Sequence, residues 1–334
     1  MDRNQISKPK NGKLGKILLQ LFLILLIGAV FLLCLTTPGC TDYAALQIPV
    51  HNAAPHQGGI NDSLSVIDTD PIAVELKDSI NSSNAILIDY SSGEVVAKKA
   101  PDERIYPASL TKIMTTVIIL EHYTDLEQEI TMPAEMYSYL IDQNASVAGF
   151  LAGERVKVID LIYGIMLPSG ADAAISLACD VAGNEFKFAE LMTEKAHEIG
   201  AVNTQFVNCT GLHDDGHYST VRDISIIFRY ALKNETFRKV ITSESYTTSP
   251  TNKHPNGIKL NSTVFSAFNR ANLINRFVLG GKTGFTGEAR LCLATLAKNH
   301  GREYVLVTVG AGLPTTSRGI QHVVDADYIY DKYT

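Results

Sequence analysis

"FVLGGKTGFTGEARLCLATLAKNHGREYVLVTVGAG", residues 277–312, contains three apolar runs parted by short polar breaks. "FVLGGKTGF", "ARLCLATLA" and "EYVLVTVGAG" are each of strand length and carry the aliphatic and β-branched residues that suit a pleated surface. A polar turn at residues 299–302 joins the last two. Strands this close in sequence pair antiparallel, as a meander. A helical stretch, "GIQHVVDADYIYDKY", follows them.

At the other side of the chain, "AILIDY", "SSG" and "EVVAKK" read as a hairpin that begins near Asn84, with glycine in its turn. The stretch between hairpin and meander is largely helical in pattern. "PASLTKIMTTVIIL" implies a helix over 107–121. "VKVIDLIYGIMLP" and "ADAAISLACDVAG" read as buried helices broken at Pro168, Ser169 and Gly170. "EFKFAELMTEKAHEIG", stopped by Gly200, and "RDISIIFRYALK" are amphipathic. The expected fold is α+β: one antiparallel sheet flanked by helices, with a mostly helical insertion.

The chain has 334 residues, 46% hydrophobic, and a formal net charge of −6. That suffices for one large core or two small ones. Arg3, Lys8, Lys10, Lys13 and Lys16 concentrate positive charge at the start, so the remainder is more acidic than the whole. An acidic body argues against nucleic acid as a partner, since phosphates require a basic footprint. Residues 17–35 are apolar apart from Gln20 and Gly28. At ~1.5 Å per residue they span about a 30 Å hydrocarbon core, and the basic head keeps the start of the chain cytoplasmic. The expected layout is a basic head (1–16), a transmembrane signal anchor (17–35), an acidic extracytoplasmic linker (36–81) and a folded domain (82–334). A cleaved signal peptide, or lipoprotein processing at Cys40 of "TPGC", stays open; each alternative exports the domain. Cys179, Cys209 and Cys292 show no C-x-x-C spacing, and the sequence leaves one bridge among them undecided.

The chemistry centres on "PASLTKIMT". Ser109 and Lys112 are three residues apart, on one face at the start of a helix. Ile113 and Val117 surround the lysine with apolar matter, and desolvation lowers a lysine pKa. A neutral lysine beside a hydroxyl is a general base. "LPSGADAA" sets Ser169 at a break between helices, where its side chain can reach a cleft. "GGKTGFTGEA" sets Lys282, Thr283 and Gly284 on a strand, offering charge and a hydroxyl to an anion and letting a bound backbone come close. "HDDGH", with His213 and His217, admits a metallopeptidase reading but lacks a third ligand in context, so neither a metal nor another cofactor is expected.

In this order the three motifs resemble those of the penicillin-binding serine D-alanyl-D-alanine carboxypeptidases, relatives of the serine β-lactamases. The resemblance runs from about Asn81 onward and includes "HYSTVRD". It implies a β-lactamase/transpeptidase-like fold on the outer side of the bacterial cytoplasmic membrane. It also implies acyl transfer on peptidoglycan stem peptides ending in D-Ala-D-Ala, with β-lactams as covalent inhibitors. Ser109 would be acylated, Lys112 would be its base, and Ser169 would pass a proton to the leaving amine. Lys282 and Thr283 would hold the terminal carboxylate. The N–H groups of Ser109 and Phe285 would form the oxyanion hole, and Arg222 and Arg318 match family arginines near the carboxylate.

Two departures stand out. Ala171 replaces the usual asparagine of the second motif, whose amide links lysine and substrate, while Asp172 keeps the next acidic position. Many relatives carry a C-terminal β-domain and an amphipathic anchor after the catalytic domain; neither is expected here, and the N-terminal run is expected to serve as the anchor. Accessory carboxypeptidases of glycopeptide-resistance clusters are sometimes built this way. The rival readings are a non-catalytic or weakly catalytic penicillin-binding sensor and a serine β-lactamase, the latter lacking a Glu-x-x-x-Asn pattern beyond Ser169.

Overall fold

The computed structural model describes residues 72–313 and 319–334. The basic head, the apolar run at 17–35, the linker up to residue 71 and Arg318 lie outside the described residues. Among those described, no helix is long and apolar enough to cross a membrane.

The first elements in chain order are β1 (Val74–Glu75), β2 (Asn84–Asp89), β3 (Val95–Lys99), α1 (Lys112–His122), β4 (Glu129–Thr131) and α2 (Met136–Asp142). Next come β5 (Arg155–Lys157), α3 (Val158–Met166), α4 (Ala171–Ala182), α5 (Glu185–Glu198), α6 (Val221–Ala231) and α7 (Glu235–Ile241). The rest are β6 (Ser245–Thr247), β7 (Lys259–Asn261), α8 (Thr263–Ala271), β8 (Val278–Thr286), β9 (Arg290–Asn299), β10 (Arg302–Val309) and α9 (Gln321–Tyr333).

The hairpin and the meander join in one six-stranded sheet of order β1-β3-β2-β10-β9-β8. It is antiparallel except for the short edge pair β1/β3. In the centre Val305 faces Ile88, Leu306 faces Leu87 and Val307 faces Ile86. Side chains alternate across a strand, so Ile86, Ile88, Val305 and Val307 enter one core while Leu87 and Leu306 enter another. The first core is shared with α1–α7, the second with α8 and α9. Both faces are buried, which is why these strands read as nearly continuous apolar runs. The expected α+β architecture, a sheet covered by helices with a helical middle, is the one found.

Two boundaries differ from expectation, and several short elements were not expected at all. The linker was to run to residue 81, yet β1 pairs with β3, and Leu76 and Ile80 are buried in the second core. Two residues of strand carry too little pattern to be seen in sequence. The helix over 107–121 begins as a 3-10 turn, Ala108–Thr111, before α1. The short α2, α7 and α8 and the ribbons β4/β5 and β6/β7 had no sequence signal strong enough to assign.

Candidate active site

Ser109 occupies the 3-10 turn, where residues i and i+3 eclipse, so it stands directly over Lys112. The preceding Ala108 has φ +46, a left-handed conformation costly for a residue with a side chain. It is held by the loop behind it. Gly211, at φ +79, lies so close that a Cβ there would be 1.9 Å from the Ala108 carbonyl oxygen. The Asn208 side-chain oxygen accepts from the Thr210 and Gly211 amides and fixes that loop.

Lys112 is buried and places Nζ 3.2 Å from Ser109 Oγ and 2.6 Å from the Thr210 carbonyl oxygen. Burial lowers its pKa to about 8, against weaker opposing pulls from Cys209, Asp172 and Glu185. A neutral amine has one lone pair. With an N–H committed to Thr210, that lone pair is free to face the serine hydroxyl.

Ser169 sits between α3 and α4 at φ +68. Its hydroxyl accepts from Lys282 Nζ at 2.8 Å, and the same nitrogen donates to the Thr283 carbonyl at 2.7 Å. Lys282 is fully buried on β8, and burial together with the charge of Lys112 pushes its pKa well below the usual value. Thr283 Oγ1 donates to Thr263 Oγ1 at 2.7 Å. Gly284 brings the strand close: a Cβ there would come 3.1 Å from the Ser109 amide nitrogen, tighter than most such contacts. Phe285, half exposed, follows it on the strand.

These groups frame one cavity of about 730 Å³, lined among others by Ser109, Lys112, Ser169, Ala171, Thr283, Gly284 and Phe285. The S-x-x-K, Ser169 and K-T-G segments, far apart in sequence, thus meet at one cavity, with Lys282 reaching it through Ser169. The profile of the D-alanyl-D-alanine carboxypeptidases, peptidase family S11, matches residues 71–312. The chain belongs to the D-alanyl-D-alanine carboxypeptidase family. It is 33% identical over 253 residues to D-alanyl-D-alanine carboxypeptidase DacF of Bacillus subtilis, covering 75% of this chain and 62% of that protein. To the D-alanyl-D-alanine carboxypeptidase of Streptomyces sp. K15 it is 30% identical over 256 residues, 74% of this chain and 85% of the relative. The crystal structure of the Streptomyces K15 DD-transpeptidase superposes with a TM-score of 0.67 at 28% identity, covering 75% of this chain and 96% of that one.

Measured against that family, some expected site residues stand elsewhere. Arg222 does not line the cavity; its guanidinium forks onto Asp102, with Nε 2.6 Å and Nη2 3.1 Å from the carboxylate oxygens. The cavity's described arginine is instead Arg270, on α8. His213 is in the wall, 3.6 Å from Asp215 and 3.8 Å from Glu288. His217 is buried: its Nδ1 accepts from the Val207 amide, so Nε2 carries the hydrogen and donates to Thr111 Oγ1 at 2.7 Å. Burial drops its pKa to about 3. The two histidines of "HDDGH" therefore brace different neighbours. Cys209 and Cys292 are free and buried, so no bridge joins them. Asp172 turns inward, accepting from the Ala148, Gly149 and Phe150 amides and pinning the loop that brings Asn144 and Ser146 to the cavity. Thr210, Thr263, Arg270 and His322 were not visible in sequence, because each reaches the site by tertiary packing alone.

Proposed function

We propose that this chain is a serine-type D-alanyl-D-alanine carboxypeptidase of peptidoglycan stem peptides, working through an acyl-enzyme on Ser109. The observation that carries this is the Ser109–Lys112 contact at 3.2 Å, with the lysine desolvated and its pKa near 8. Lys112 takes the Ser109 proton as Oγ bonds to the carbonyl carbon of the penultimate D-alanine. The resulting oxyanion lies against the Ser109 and Phe285 amides, and such preorganised donors usually supply the largest share of catalysis. Ser169 hands its proton to the departing nitrogen and is reprotonated by Lys112, which thereby returns to its neutral form; the C–N bond breaks, and D-alanine leaves. Water then adds to the ester, Lys112 accepts its proton, and the shortened peptide departs with Ser109 restored.

The terminal carboxylate is assigned to Thr283, Thr263 and Arg270, with Lys282 behind Ser169. An arriving anion would favour the charged form of that lysine. A β-lactam would acylate the same serine, its opened ring staying attached. The layout proposed for the whole chain is an N-terminal membrane anchor with this domain outside. Covalent labelling by fluorescent penicillin beside an assay of released D-alanine tests the reading. Rapid penicillin turnover without D-alanine release would favour a β-lactamase instead.

Acylation should depend on pH in one direction. The neutral lysine is the active form, and its fraction grows about tenfold per unit while pH is below the pKa. The acylation rate by penicillin should therefore climb from pH 6 and level off above about 8. A flat profile from pH 6 to 9 would remove Lys112 from the base role.

Ala171 lines the cavity beside Ser169. If the missing amide weakens acylation, Ala171→Asn should speed acylation and D-alanine release in parallel by up to roughly tenfold, ~1.4 kcal/mol of barrier. A neutral or harmful outcome in both assays means that the site has been rebuilt around alanine.

A further inference from the structure

The Thr210 carbonyl that receives Lys112 lies in a turn, so its place depends on what ties the neighbouring peptides. Cys209, the residue before it, is fully buried and is tied from two helices. Its amide donates to Glu185 Oε1 at 3.0 Å, and its thiol donates to the same oxygen at 3.1 Å. Its carbonyl accepts from Thr115 Oγ1 at 2.6 Å, one turn beyond Lys112 on α1. Glu185 is half-buried and opens α5, where the helix dipole favours a carboxylate. A charged acceptor binds an amide about twice as strongly as a neutral one. Neither Glu185 nor Cys209 lines the cavity, so neither is placed to touch a bound peptide.

We propose that Glu185 is a positioning residue: its carboxylate fixes the Cys209 peptide, which sets the Thr210 carbonyl against Lys112 and turns the lysine's lone pair to Ser109. This rests on the reading of Lys112 as the base for Ser109 and deepens it, because the base is then aimed from outside the cavity. Glu185 acts through charge as well. Burial lowers the Lys112 pKa to about 8, and Cys209, Asp172 and Glu185 pull it back upward. Removing the charge of Glu185 therefore lets the lysine lose its proton at lower pH. The other titratable groups around the pair are Asp172 on α4, Lys282 on β8, Asp214 and His217 beyond the turn, and Tyr139 on α2. On α5 itself Lys187 and Glu190 are exposed. All of these stay in place when Glu185 alone is replaced.

The test follows acylation of the full chain by benzylpenicillin, by rapid mixing across the pH range in which Lys112 titrates, for the parent, Glu185→Gln and Glu185→Leu. Leucine offers no acceptor to the Cys209 amide, and the acylation rate on the high-pH plateau should fall about tenfold as the turn shifts. Glutamine restores an acceptor oxygen without the charge. It should recover most of that rate while the midpoint of its pH profile moves down by about half a unit. A merely structural role would lower the thermal midpoint and the fraction that labels, and would leave the pH midpoint where it is. A parental plateau in the leucine variant, equal losses in both variants, or an unmoved midpoint in the glutamine variant would overturn the proposal. If the leucine variant does not fold, the glutamine midpoint decides alone. A parent whose own rate is flat with pH counts against Lys112 as the base and so against both readings. A rising parental profile that Glu185→Gln fails to move counts against Glu185 alone.

Discussion

Ser109→Ala should abolish covalent penicillin labelling and lower D-alanine release by at least about 10³-fold. The hydroxyl is the only atom removed, and with it the step that divides hydrolysis into acylation and deacylation. Ser109 is half-buried in a turn whose shape is set by its neighbours, Ala108 and Gly211, and not by its own side chain. The variant should therefore melt within a few degrees of the parent. Labelling is the sharper measurement, because it needs a single turnover and no second substrate. Undiminished labelling would place the acylated residue elsewhere and end the assignment of Ser109.

The loss of Lys112 should be nearly as severe, and two replacements isolate the reason. Lys112→Arg keeps a cation but cannot accept a proton, since guanidinium stays protonated. Lys112→Met keeps most of the volume and removes the charge. General-base catalysis contributes roughly 10²–10⁴-fold, and both variants should lose an amount in that range from the acylation rate. Their stabilities should diverge. Methionine leaves the Thr210 carbonyl without its donor at 2.6 Å but spares the cost of burying an ammonium. Arginine must fit a larger charged head into a filled site. Rapid-mixing acylation rates combined with thermal melts test this, and a Lys112→Met variant acylating at the parental rate would remove the lysine from the mechanism.

The parts of the site legible in sequence were those written in consecutive residues. Ser109 and Lys112 are three apart, so local helical geometry alone forces their meeting. The apolar neighbours of Lys112 announced its burial, and the lowered pKa follows from that same burial. Ser169 declared itself through Pro168 and Gly170, and K-T-G through the strand that carries it. Partners contributed by distant segments gave no such signal. The Thr210 carbonyl belongs to a residue whose side chain says nothing of its role. Arg270 is on a nine-residue helix, too short to show a firm period. Arg222 misled for the opposite reason: its motif matched, but Asp102, 120 residues earlier, claims its guanidinium. The fold was readable because the strands of the meander and the hairpin are long and their polar breaks short. β1 was lost because two residues cannot show alternation.

The position of β2 between β3 and β10 has a consequence for how the protein is made. A chain is synthesised from its N-terminal side, so the hairpin and the Ser109 turn emerge long before their neighbours. Until β10 arrives, β2 shows an open edge, and until β8 arrives, the Ser109 amide lacks the glycine strand that frames it. Pairings so distant in sequence form slowly. The Ser109 turn is thus among the first parts of the domain to be made and its surroundings among the last to be completed, so the cavity exists only once the domain is almost whole.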